Sequence, residues 1–131
     1  MKSMFKQVGD FHSEVLGLDH PEIPTFNRPE WIIERTRFMM EEVQEFTSAA
    51  ITGDMVEAAD GLADVVYVAL GTAWMMGIPF EKIFNHVHNC NMKKQRGQTV
   101  RGNAIDAIKP PGWVRPNEGI AKILEDDLDQ I

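Results

Sequence analysis

Cysteine is almost missing from this chain: Cys90 is the single one in 131 residues. No intrachain disulfide can form, so the fold must hold without a covalent staple, which fits a reducing compartment. Phosphate-cradling glycine loops are missing as well. There is no Gly-x-x-x-x-Gly-Lys-Ser/Thr run and no Gly-x-Gly-x-x-Gly run, which sets aside the common nucleotide folds. The longest apolar run covers residues 65–78 and is broken by Gly71, Thr72 and Gly77. It falls short of the ~20 residues of a membrane span, so no membrane partner is expected. Residues 1–10 carry charge where a signal peptide has its apolar core, so no targeting segment is expected. Positive charge is in deficit: the net charge of −7 argues against a nucleic-acid partner, because such binding is driven by phosphate neutralisation. No segment alternates with period two, and no internal repeat stands out, so a sheet is not expected.

What the chain does have is helical spacing. Met4, Phe5, Val8, Phe11, Val15 and Leu16 mark a first helix over 3–17 that stops at Gly17. Pro21, Pro24 and Pro29 make 18–29 an irregular connection. Pro29 suits the first turn of a long helix to Ile51, Gly53 ends it, and Asp54 caps a third helix to Met76. A fourth helix is predicted over 80–95, a loop follows, and a short amphipathic helix runs over 117–128. The expectation is a single all-α domain over 1–131: a four-helix bundle-like core, a C-terminal loop and a short closing helix. Residues 65–76 of the third helix leave almost no polar face, so that helix is expected to be buried on all sides. A chain this small cannot surround it alone, which predicts a homo-oligomer.

Two acidic clusters interrupt these apolar helices. Glu41, Glu42 and Glu45 stand among Phe38, Met39, Val43 and Phe46, with no lysine or arginine three or four residues on. Glu57, Asp60 and Asp64 precede the apolar Val65–Val68 run. Steps of three and four bring each set onto one helix face. Such acids repel one another, and burial without a partner is costly. A hard divalent cation between the two stripes resolves both problems; all-oxygen donors suit Mg²⁺, with Mn²⁺ as a substitute. Carboxylate di-iron bundles use Glu-x-x-His pairs, and no glutamate here has a histidine three residues on. His86 and His88 lie two apart and stay outside the metal site.

A basic segment complements the acids. Lys93, Lys94, Arg96, Arg101, Lys109 and Arg115 face the single acid Asp106 between residues 92 and 117. Lysine as a point charge and arginine as a fork suit phosphate oxygens. Asn91 heads the segment and is a candidate for metal or phosphate. Trp113, in a Pro-Pro-Gly-Trp loop, either closes over a bound base or pins the loop to the body.

Glu-Glu-x-x-Glu at 41–45, Ala-Asp-Val-Val-Tyr at 63–67 and Asn-Met-Lys-Lys at 91–94 together resemble the all-α nucleoside triphosphate pyrophosphohydrolases. These are the MazG-like and phosphoribosyl-ATP pyrophosphohydrolase-like enzymes, and the likeness is closest to short phage-encoded members. The resemblance implies Mg²⁺-dependent hydrolysis of a (deoxy)nucleoside triphosphate to monophosphate and pyrophosphate, with a guanine nucleotide as one candidate substrate. It implies metal ligands at Glu42, Glu45 and Asp64, with Asp60 or Glu57 replacing a family glutamate absent at Gly61. Glu41 and Glu42 are the catalytic candidates, Glu41 as the water-activating or second-metal carboxylate. Asn91, Lys93, Lys94, Arg96 and Trp113 are the substrate-binding candidates. A homodimer or homotetramer in the cytoplasm of a bacterium or phage-infected host is expected. Phosphoribosyl-ATP hydrolysis and a non-catalytic nucleotide-binding module are the alternatives.

Overall fold

Ser3 starts the first helix, α1 (Met4–Asp10), by accepting the Lys6 backbone N–H on its side-chain oxygen at 3.1 Å. In this computed structural model, which describes residues 1–98 and 105–128, α1 widens into a π-helical turn at Phe11–Val15. The extra residue in that turn brings His12 inward to 4% exposure. Gly17, at φ +70°, ends it. The proline segment that follows covers the far end of the third helix. Thr25 donates its backbone N–H to the Met76 carbonyl at 2.9 Å, and Asn27 reaches the Met75 carbonyl at 3.5 Å. Both satisfy acceptors that a helix end leaves open.

The next two helices keep the predicted limits to within a residue: α2 is Pro29–Ile51 and α3 is Met55–Met75. Asp54 caps α3 by accepting from Glu57 N–H at 3.1 Å. The short turn between them makes α2 and α3 antiparallel neighbours, and they form the main helix–helix seam. Gly61 makes that seam tight, because a Cβ there would stand 3.0 Å from the Phe46 Cα. Against the other side of α3 lies α1, where Gly9 takes the Trp74 ring and Gly71 takes the His12 ring. Val8, Ala58, Val68, Leu70, Ala73 and Trp74 form the core.

The expectation that α3 is buried on all sides is not met within one chain. Val56 (77% exposed), Leu62 (50%) and Val66 (44%) face outward, because α1 and α2 cover only two flanks.

The chain divides into two compact units, Met1–Phe80 and Glu81–Ile131, and each is described by itself. The second begins along α4 (Phe80–Asn91), four residues shorter than predicted. Backbone bonds from Lys93 N–H to Cys90 and from Lys94 N–H to Asn91 turn the chain there. Where a loop was expected, β1 (Gln95–Gly97) pairs antiparallel with β2 (Asp106–Ile108). Three residues are too few to display alternation, so the strands were invisible to a period-two search. The last helix, α5 (Asn117–Leu128), has the predicted limits. Arg101 lies outside the described residues. With five α-helices and one short strand pair among the described residues, the fold is all-α. No single helix among them is long and apolar enough to cross a membrane.

Candidate metal centre

Glu42 and Glu45 lie three residues apart on α2, and Asp64 faces them from α3. One carboxylate oxygen from each falls within 4.8 Å of the others. The seam explains this convergence. Gly61, one turn before Asp64, lets the two helices close on Phe46, one residue after Glu45. A glutamate at position 61 would have to displace the α2 backbone. Position 61 thus serves helix contact, and the mid-helix glycine is its sequence signal.

Glu42 Oε2 is buried and has no hydrogen-bond partner among the described residues. Burial raises the Glu42 pKa above the usual carboxylate range. The charges of Glu45, Asp64 and Glu41 push it the same way. An orphaned buried oxygen amid three carboxylates fits a hard cation with oxygen ligands. A divalent ion would complete the Glu42 coordination and cancel the repulsion.

Beside the triad opens a cleft of about 610 Å³, lined by Glu41, Glu45, Asp54, Glu57 and Asp60 among others. Glu45 belongs to both the cleft and the triad. Asp60 and Glu57 therefore stand in the cleft and not in the triad, on the same acidic surface as Glu41. Among the described residues no lysine or arginine lines this space.

The basic candidates gather in the second unit. Trp113 donates its indole N–H to the Cys90 carbonyl at 2.8 Å. The ammonium groups of Lys94 and Lys109 stand 5.1 and 5.3 Å from its ring centroid. Of the two roles open to Trp113, this geometry favours pinning: the tryptophan ties the loop to the end of α4. A cavity of about 460 Å³ beside it is lined by Lys93, Trp113, Arg115, His86, Cys90 and Glu118. Asn91 is the last, exposed residue of α4, and Arg96 is exposed on β1. Lys93, Lys94 and Trp113 are therefore brought together, whereas Arg96 has no place in this cavity lining.

Sequence reasoning missed Arg35. It lies half-buried on α2, two turns before Glu42, and bonds to Thr72 and Val68 of α3. Its signal was an arginine seven residues before Glu42, on the same helix face as the acids.

The phosphoribosyl-ATP pyrophosphohydrolase family model matches residues 8–91, well over half the chain. No curated protein matches it. The matched segment holds α2, α3 and the whole carboxylate triad, and it stops before the basic loop. On that match the chain belongs to the phosphoribosyl-ATP pyrophosphohydrolase family, within the MazG-like nucleotide pyrophosphohydrolases.

Proposed function

We propose that this protein hydrolyses nucleoside triphosphates to the monophosphate and pyrophosphate with Mg²⁺, or Mn²⁺ in its place. The observation that carries this reading is the buried, unpartnered Glu42 oxygen facing Glu45 and Asp64. Glu42, Glu45 and Asp64 would hold the ion. When bound it supplies charge neutralisation on phosphate oxygens. Glu41, next to Glu42 and open to the cleft, orients the attacking water and takes its proton. The water oxygen forms the new P–O bond as the anhydride bond to pyrophosphate breaks. Asp60, in the same cleft, would serve as a further oxygen ligand. Lys93 and Lys94 are the candidate phosphate cations, with Asn91 and Arg96 as further substrate contacts. A homodimer or homotetramer would cover the open apolar face of α3.

The matched family favours one second reading, hydrolysis of phosphoribosyl-ATP. Both readings are tested by incubating the protein with Mg²⁺ and a nucleotide panel that includes phosphoribosyl-ATP, then identifying products. Pyrophosphate and a monophosphate from common triphosphates support the first. Turnover of phosphoribosyl-ATP alone supports the second. Binding without products leaves a nucleotide-binding module and sinks both.

A further inference from the structure

The cavity of about 460 Å³ in the second unit takes its lining from three places: α4 with the turn after it, the loop 110–115, and the first turn of α5. Trp113 ties the loop to α4 through its indole bond to the Cys90 carbonyl. Gly119 brings α5 in close, because a Cβ there would run into the His86 ring. The imidazole thus lies against the opening turn of α5. The ladder of that helix starts with Ile120 N–H on the Pro116 carbonyl at 2.9 Å. The N–H groups before it stand outside the ladder and make this end of the helix positive.

Side-chain charge in the lining is lopsided. Lys93 and Arg115 bring two cations and His86 an imidazole, against the one carboxylate of Glu118. The ammonium groups of Lys94 and Lys109 stand beside the Trp113 ring, which lines the same space. None of these four cations is ion-paired: the ion pairs among the described residues are Lys2–Asp10 and Lys6–Asp10. Arg115 commits only its Nε–H, to Asn117 Oδ1 at 2.8 Å. In a chain of net charge −7, a concave surface with this excess of base draws an anion.

The donors narrow the anion. A guanidinium fork, an ammonium and a helix N-terminus all suit phosphate oxygens. Phosphate alone would leave much of the space unfilled. Cavities of ~300–1,000 Å³ take small organic ligands, and Pro110, Pro111 and Val114 give this one an apolar side. The family match ends at residue 91, so Lys93, Arg115, Glu118 and the loop all lie outside the matched segment.

We propose that Lys93 and Arg115, with His86 and the first turn of α5, form an anion site that binds a small organic phosphomonoester without a metal ion. The site uses no residue of the carboxylate triad, so its failure leaves the metal-centred reading standing. The test is calorimetric titration of metal-free protein with phenyl phosphate, inorganic phosphate and phenol. Phenyl phosphate should bind saturably, and both of the others should bind more weakly by about tenfold or more. Lys93→Gln and Arg115→Gln should each weaken phenyl phosphate by about tenfold or more. Glu118→Gln should tighten it, a gain that damaged folding cannot produce. Asp64→Asn should bind as the wild type does. No saturable binding to the wild type overturns the proposal, as does phenol or inorganic phosphate matching phenyl phosphate. Binding that Lys93→Gln and Arg115→Gln leave unchanged, or that Asp64→Asn abolishes, overturns it too, because the ligand then sits elsewhere.

Discussion

The acids of the first unit and the bases of the second are balanced in opposite ways. Glu42, Glu45 and Asp64 sit on two long antiparallel helices that force like charges together and leave one oxygen without a partner. Lys94 and Lys109 sit on short connections and rest against the Trp113 ring. The acidic seam is thus one partner short, whereas Lys94 and Lys109 of the basic segment have an aromatic face beside them. Rigid helices can hold a repulsive arrangement that a loop would relax, and so the chemistry is expected where the strain is.

The greatest effect should come from removing one carboxylate from the seam. Asp64→Asn or Glu42→Gln should take hydrolysis below detection while circular dichroism stays unchanged. Glu42→Gln should also raise the melting temperature of the metal-free protein, because it removes a buried like charge. Next comes Glu41→Gln, with an expected loss of about 10²–10⁴-fold in kcat if Glu41 handles the water proton. A loss seen only in metal affinity would move Glu41 into the ligand set.

Trp113→Ala tests the other half of the comparison. It removes the indole bond to Cys90 and the ring under two lysines, and should cost about 2 kcal/mol in denaturant titrations. Its activity should fall less than that of the seam variants. Gly61→Ala should cost about 1–3 kcal/mol through overpacking against Phe46, and it should weaken metal binding by spreading the seam.

The smallest effect is pH dependence in the absence of metal. The folded-state pKa of Glu42 lies above its unfolded value. The folded state therefore prefers the protonated acid. That contribution is full below the ordinary carboxylate pKa and is lost as pH rises through the raised value. Thermal melts across this window should show stability declining with pH, and added Mn²⁺ should flatten the decline.

Much of this was legible in the residues. Pro29, Gly53, Asp54 and Gly77 punctuate α2 and α3 because caps and breakers act locally. The two acidic stripes were legible because helical spacing projects directly into space, and the resemblance narrowed them to the triad. The π-helical turn that buries His12 was not, since it depends on α1 meeting Gly71. The β1–β2 pair was too short for periodicity to reveal. Asp60 was grouped with Asp64 by spacing, yet one lines the cleft and the other joins the triad. Arg35 escaped notice because its bonds to Thr72 and Val68 across the seam are a fact of three dimensions.

The most direct measurement is Mn²⁺ binding to the wild type and to Glu42→Gln and Asp64→Asn, followed by electron paramagnetic resonance. The account predicts saturable binding to the wild type near neutral pH and its loss in both variants. Undiminished binding in either variant, or none in the wild type, would contradict it.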